Sequence, residues 1–86
     1  MPEISRFFGI VIKMFFDDHN PPHFHAEYTG DVALIEIRNL SVFSGHLPPR
    51  VMGLVIEWAI IPQKELFADW ERARAQQELQ KIAPLE

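Results

Sequence analysis

The sequence contains no cysteine, few glycines and no excess of basic residues, and each shortage excludes a class of protein. Without cysteine the chain has neither a disulfide framework nor a thiolate metal site, which favours a reducing compartment. Only four glycines and 48% apolar residues are typical of a globular domain rather than a low-complexity segment. Twelve acidic residues against eight basic ones, with a net charge of -4, show no basic patch for tight non-specific binding to nucleic acid.

Length and hydropathy set further limits. The 86 residues are enough for one core, so we expect a single domain over residues 1–86. The N-terminal segment lacks the basic region and cleavage site of a signal peptide, because Glu3 precedes Arg6 and Lys13 interrupts the apolar run. The most apolar helical segment, Val51 to Ile61, is too short to span a bilayer. These features predict a cytoplasmic protein that makes no contact with a membrane.

What the sequence does contain is a dense cluster of histidines. Three of its four histidines, His19, His23 and His25, lie within seven residues around a diproline. Since side chains alternate along a strand, the last two of them would point to one face of a sheet. Histidine can be a metal ligand, a general acid or base, or a pH sensor. The cluster therefore marks the candidate site.

The first half of the chain has the pattern of β-strands. Large apolar residues occupy every even position from Phe7 to Phe16, which predicts a strand with its even face in the core. Asp17 to Pro22 has the composition of a loop, and His23 to Thr29 then alternates between apolar and polar residues. Gly30-Asp31 fits a two-residue hairpin turn with glycine first, leading into a third strand from Val32 to Arg38.

The predicted turn also fixes a register, which sets apolar residues opposite one another on one face. The opposed pairs are Phe24 with Ile37, Ala26 with Ile35, Tyr28 with Ala33, His25 with Glu36, and His23 with Arg38. If the first strand keeps its even positions in the core, Lys13 falls near Glu27 and Phe15 falls near His25. The face opposite the core then carries many ionisable groups.

The second half of the chain is predicted to be mainly helical. After a short strand from Leu40 to Ser44, Pro48-Pro49 suits the first turn of a helix that continues, almost entirely apolar, to Ile61. Pro62 ends this helix, and a second amphipathic helix follows with Trp70 on its apolar face. The sequence therefore predicts an α+β fold, in which an antiparallel three- to four-stranded sheet is followed by two C-terminal helices packed on one face.

Two interpretations of the histidines need no catalysis. In the structural one, the diproline fixes a turn and the imidazoles hydrogen-bond to loop carbonyls and neighbouring carboxylates. In the metal-binding one, His19, His23 and His25 hold one divalent ion such as zinc and leave a position for water. The fourth protein ligand would be Asp18 or His46.

A third interpretation is catalysis without any cofactor. His25 would be the general base, oriented by Glu36, and a second histidine, His23 or His19, would be the general acid. The cation that would stabilise a phosphate oxyanion is Arg6, Lys13 or Arg38. These groups are the minimum for metal-independent cleavage of RNA.

The chain also resembles a known family along essentially its whole length. The residues that carry the resemblance are Pro2-x-Ile4-Ser5-Arg6-Phe7-Phe8-Gly9-Ile10-x-Ile12-x-Met14, Asp18-His19-x-Pro21-Pro22-His23-Phe24-His25-Ala26, Leu47-Pro48, Trp58 and Trp70. They are similar to the small bacterial proteins catalogued as domain of unknown function 4160. The chain departs from the expected pattern at Ile60-Ile61-Pro62, where a more polar helix surface is expected.

The resemblance implies a context more than an activity. Genes of this family are often paired with that of another small protein, in arrangements that suggest toxin and antitoxin. It implies a small protein partner encoded nearby, and the wide apolar surface of the first helix is compatible with that partner or with a homo-oligomer. Two classes of function stay open: a partner-binding module, with RNA as a candidate substrate, and a small metal-binding protein or metal-dependent hydrolase.

Overall fold

The computed structural model describes residues 3–16 and 18–86. Pro2 of the family-like opening and Asp17, the first residue of the predicted loop, lie outside the described residues. Five strands precede two helices along the chain. They are β1 (Glu3–Phe7), β2 (Ile10–Lys13), β3 (His23–Tyr28), β4 (Asp31–Glu36), β5 (Val42–Gly45), α1 (Pro49–Ile60) and α2 (Gln63–Arg74).

The strands form one antiparallel sheet in the order β1-β2-β3-β4-β5, which confirms the α+β prediction with more strands than the three or four expected. The extra strand is β1, which ends at the start of the segment predicted as one strand, Phe7 to Phe16, and pairs with β2 across a hairpin turn inside that segment. Phe8 and Gly9, with φ of 51° and 80°, form this two-residue turn. A bulky residue rarely adopts a positive φ, so the apolar alternation gave no sign of this turn.

The hairpin between β3 and β4 turns at Thr29-Gly30 rather than at the predicted Gly30-Asp31. Both turn residues have positive φ, 43° and 93°, as the commonest two-residue hairpin turns require. The predicted register is therefore wrong by two residues. The observed pairs are His23 with Glu36, Phe24 with Ile35, His25 with Leu34, Ala26 with Ala33, and Tyr28 with Asp31. Because the shift is even, every side chain keeps its predicted face.

The other element boundaries differ from prediction by one or two residues. β4 ends at Glu36 rather than Arg38, and β5 begins at Val42 because Leu40, with φ of 53°, belongs to the turn before it. In the described part of the chain, neither helix has the length and apolar character needed to cross a membrane.

One apolar core joins a face of the sheet to both helices. The Phe24 ring on β3 contacts Trp58 of α1, with centroids 5.9 Å apart, and Phe7 of β1 contacts the same indole at 5.4 Å. The other fully buried side chains of this cluster include Ile4, Ile10, Ile12, Met14, Ile35, Ile37, Val55 and Leu66. The sheet's even-numbered residues on β2 and β3 thus face the core, as predicted.

The segment after α2 docks on the core rather than fraying. The Ile82 amide donates to the Ile4 carbonyl of β1 at 2.7 Å, and Trp58 Nε1 donates to the Ala83 carbonyl at 2.8 Å. Buried Asp69 of α2 accepts the Gln80 amide at 2.9 Å and Arg72 Nη1 at 2.7 Å. These bonds fix the C-terminal segment across β1 and both helices.

Gly45 at the end of β5 offers a test of the sheet edge. Its φ is +74°, and a Cβ at this position would collide with the Val32 carbonyl oxygen. We expect Gly45→Ala to lower the free energy of unfolding by about 2 kcal/mol or more, since both the backbone conformation and the space exclude a side chain. Urea denaturation of the variant and parent measures this.

Gly53 supplies the matched control, because it lies inside α1 with no atom within 4 Å of its added Cβ. Gly53→Ala should raise the free energy of unfolding by about 0.5–1 kcal/mol. A Gly45→Ala protein as stable as the parent would contradict the described edge of the sheet.

Candidate functional site

The site lies where the diproline loop enters β3. His23 is the first residue of β3 and His25 shares its face, two residues further along the strand. Asp18 comes from the loop, and the loop is tied to the sheet by the Ile37 amide, which donates to the Pro22 carbonyl at 3.0 Å. The strand therefore fixes the positions of the two imidazoles, and the anchored loop places the Asp18 carboxylate next to them.

Three ligand atoms converge here. Asp18 Oδ2 lies 3.0 Å from His25 Nε2 and 3.0 Å from His23 Nε2. All three atoms lie within 4.8 Å of one another. In the described part of the chain, this is the one such grouping of at least three histidine or carboxylate groups.

The tautomer of His23 is determined by its loop contact. Nδ1 lies 2.7 Å from the Pro21 carbonyl oxygen, and a carbonyl can only accept, so Nδ1 carries the proton. In the neutral ring Nε2 is then left with a lone pair. Histidines that bind metals characteristically donate their other ring N–H to a backbone carbonyl in this way.

His23 Nε2 is also buried without a hydrogen-bond partner. The side chain is only 3% exposed. The Asp18 oxygen is 3.0 Å away, at ion-pair distance if the ring is protonated, but the nitrogen makes no hydrogen bond to it. His25 Nε2, by contrast, makes a true hydrogen bond to that oxygen. A buried nitrogen without a partner is costly, and a cation shared with Asp18 and His25 would satisfy it.

The Asp18 carboxylate is held in its charged form. Burial would raise its pKa, but the hydrogen bond from His25, the proximity of the His23 ring and the His19 backbone N–H together lower the pKa below its ordinary value. The His19 N–H donates to Oδ1 at 3.1 Å, which leaves Oδ2 directed at the histidines. An ionised, oriented carboxylate is what a metal ligand requires.

Aromatic rings enclose the two imidazoles. Phe15 contacts His25 edge-on at a centroid distance of 4.6 Å, while Phe43 and Trp70 contact His23 at 5.1 and 5.3 Å. These rings exclude water from one side of the site and lower its effective dielectric, so the charges within it interact more strongly. His25 and Asp18 stay partly open, with side chains 18% and 23% exposed.

Burial distinguishes the two histidines. His23 and His25 both occupy the face opposite Phe24, but Trp70 and Phe43 cover His23. Replacing His23 by alanine should therefore lower the free energy of unfolding by about 1–3 kcal/mol, because a buried hydrogen-bonded ring would be lost.

The other sequence-predicted site residues are dispersed. Glu36 lies opposite His23 rather than His25, so the orienting contact expected of Glu36 is made by Asp18. Lys13 is paired with Glu27 at 3.0 Å, close to where the sequence placed it. Arg6 is held in two hydrogen bonds by Glu3.

The remaining candidates lie outside the three-atom grouping. His19 is exposed and contributes its backbone N–H, and Arg38 is exposed beyond the end of β4. His46 is 80% exposed and lies 3.8 Å from Asp31, at the Tyr28 end of the β3–β4 hairpin. Of the four predicted metal ligands, the structure thus brings together Asp18, His23 and His25.

Two neighbours of the site carried no signal in the sequence. Arg74 at the end of α2 reaches Asn20, with Nη1 3.4 Å from Oδ1, and Phe43 reaches His23 from β5. Asn20 and Arg74 are 54 residues apart in the chain. Only the course of α2 along the sheet brings them together.

Comparison with known proteins gives one match. Residues 9–71 match the family model described as Domain of unknown function (DUF4160), and this range contains the three converging residues. Neither the curated proteins nor the solved structures yield a match.

Proposed function

The chain belongs to the DUF4160 family, and we propose that it holds one divalent metal ion, zinc by its chemistry, on Asp18, His23 and His25, as the centre of a small metal-dependent hydrolase. The observation that carries the proposal is the buried Nε2 of His23, which has no hydrogen-bond partner and lies 3.0 Å from a carboxylate oxygen that also contacts His25. The Pro21 carbonyl fixes the proton on Nδ1 of this ring, so the lone pair on Nε2 of the neutral ring is free to bind a cation.

The spacing of the ligand atoms suits a small tetrahedral ion. Two atoms bound to one zinc, each about 2.0 Å from it, lie roughly 3.3 Å apart. Both histidine nitrogens are 3.0 Å from Asp18 Oδ2, so these two separations are close to the tetrahedral spacing, and all three ligand atoms lie within 4.8 Å of one another. Two imidazoles and one carboxylate favour zinc over magnesium or calcium, which prefer six or more oxygen ligands.

Three protein ligands distinguish a catalytic site from a structural one. Structural zinc sites use four protein ligands, whereas catalytic sites use three and keep the fourth position for water. The open side of Asp18 and His25 gives that water access to solvent. Zinc lowers the pKa of bound water to about 7, so hydroxide would be available for hydrolysis near neutral pH.

Metal-independent cleavage of RNA is less well supported by the contacts. It needs Arg6, Lys13 or Arg38 to bind phosphate. The charges of Arg6 and Lys13 are paired with Glu3 and Glu27, which leaves exposed Arg38 beyond the end of β4. It also required a carboxylate behind His25, and Asp18 could serve there in place of Glu36. What that mechanism leaves unexplained is the buried Nε2 of His23.

The cellular context is part of the proposal. A metal-dependent hydrolase could be the active member of a bacterial, cytoplasmic toxin and antitoxin pair, and the exposed Ile60 and Ile61, 61% and 78% accessible, offer a surface for a protein partner or a second copy. Co-purification with the product of the neighbouring gene tests this point separately from the chemistry.

Metal content tests the central claim. The untagged chain, purified without added chelator, should retain or take up one zinc per molecule, measured by elemental analysis and by competition with a chromogenic chelator. His46→Ala should bind the same amount, because that exposed histidine lies at the other end of the hairpin. No stoichiometric uptake of any divalent ion would refute the proposal.

A further inference from the structure

We infer that the substrate of this site is a small phosphate ester, whose phosphoryl group lies in the cavity that Asp18 shares with Arg74. The inference rests on the proposed function, since the ion on Asp18, His23 and His25 would supply the attacking water. An open cavity of about 340 Å³ is lined by Asp18, His19, Asn20 and Arg74. One of its walls is therefore a ligand of the proposed ion.

Arg74 places a positively charged guanidinium in this cavity that is available to bind an anionic ligand. Its Nη1 lies 3.4 Å from Asn20 Oδ1, which is long for a hydrogen bond, and a neutral amide does not balance its charge. Arg6 and Arg72, in contrast, each hold a carboxylate at 2.8 and 2.7 Å. Within residues 3–16 and 18–86, Arg74 has no carboxylate at ion-pair distance.

The charges in and beside the cavity favour a phosphoryl group. A divalent ion on the single carboxylate of Asp18 leaves one positive charge, and Arg74 adds a second beside it. The planar guanidinium matches two phosphate oxygens at once. The side-chain amide of Asn20 and the imidazole of His19 can supply further hydrogen-bond donors to the same cavity.

The charge of the whole chain limits the size of that ester. The chain carries a net charge of -4, and two of its arginines, Arg6 and Arg72, are paired with carboxylates. A long nucleic acid needs a row of unpaired cations along its backbone, whereas a single phosphate needs only this one cavity. The charges therefore favour a small phosphate ester over RNA.

For a phosphodiester, the reaction would be hydrolysis. The ion held by Asp18, His23 and His25 would supply the attacking water, whose oxygen would form a bond to phosphorus while the bond from phosphorus to the leaving oxygen breaks, its electron pair staying on that oxygen. One proton of the water passes through solvent to the leaving oxygen, and the other is released to solvent. The products are a phosphate monoester and an alcohol, with no oxidant or reductant required.

The test compares Arg74→Ala with Arg50→Ala in the zinc-loaded protein. Arg50 is an exposed arginine beside Tyr28, in a different cavity at the far end of β3. The probes are inorganic phosphate, measured by calorimetry, and hydrolysis of bis(4-nitrophenyl) phosphate. Arg74→Ala should bind zinc as the parent does but bind phosphate about 10- to 100-fold more weakly, while Arg50→Ala matches the parent in both.

The outcomes separate this inference from the proposed function. If the parent chain binds no zinc, the proposed function fails and the inference fails with it. If zinc binds normally but Arg74→Ala binds phosphate and cleaves the diester as the parent does, only the inference is overturned. Tighter binding of a 20-nucleotide RNA than of the small diester, lost in Arg50→Ala as well as in Arg74→Ala, would overturn the choice of substrate.

Discussion

His25→Ala should lower the affinity of the chain for zinc by about 100-fold or more, because loss of a group that merely orients a ligand already costs about 10- to 100-fold. His25 is the suitable ligand to remove, since its side chain is partly exposed whereas that of His23 is buried. Its loss should leave the fold intact. Competition with a chelator of known affinity measures the change.

Three further variants sharpen this result. Asp18→Asn keeps the shape of the side chain but removes its charge, and it should weaken zinc binding as His25→Ala does. His19→Ala and His46→Ala remove histidines outside the three-atom grouping, and they should bind zinc within about 2-fold of the parent, since neither supplies a ligand. If His19→Ala matched His25→Ala instead, His19 would be a fourth ligand and the site would be structural rather than catalytic.

Zinc should also raise the melting temperature of the chain by roughly 10–20 °C. At a free zinc concentration 100 times the dissociation constant, binding stabilises the folded state by about 2.7 kcal/mol. For a domain of this size each kcal/mol raises the melting temperature by about 4–8 °C. The full shift requires zinc to bind the folded chain alone, because any affinity of the unfolded chain for zinc reduces it.

Thermal denaturation followed by circular dichroism, with and without zinc, measures this shift. Asp18→Asn should melt close to the parent without zinc and show little rise when zinc is added. Magnesium should produce little shift in either protein, since it prefers six oxygen ligands. An equal rise in Asp18→Asn and the parent would place zinc somewhere other than on Asp18, His23 and His25.

The sequence predicted which side chains share a face more reliably than which residues lie opposite one another. Alternation of apolar and polar residues fixes the face of the sheet on which each side chain lies, and an error of two residues in the register leaves that face unchanged. The register depends on the turn, and Thr29 adopts a positive φ of 43° that its residue type does not favour. The hairpin turn at Phe8 was missed for the same reason, because Phe8 adopts a positive φ of 51°.

The location of the candidate site was predictable from the sequence, but the residues that contact its histidines were only partly predictable. The crowding of histidines around the diproline identified the segment, and Asp18 was among the candidate ligands. Glu36 was assigned to His25 through the wrong register, and it lies opposite His23. Arg74 could not be found, because nothing local in α2 indicates that its last residue reaches a loop 54 positions earlier.

The docked C-terminal segment has a consequence for how the chain is made. β1 lies at an edge of the sheet, and its Ile4 carbonyl is bonded by the amide of Ile82, 78 positions later. Synthesis at about 5–20 residues per second makes the first strand several seconds before residue 82 exists. During that interval β1 presents an unsatisfied edge, a template for pairing with other chains. Binding by a chaperone would matter most in those seconds, before the segment around Ile82 reaches β1.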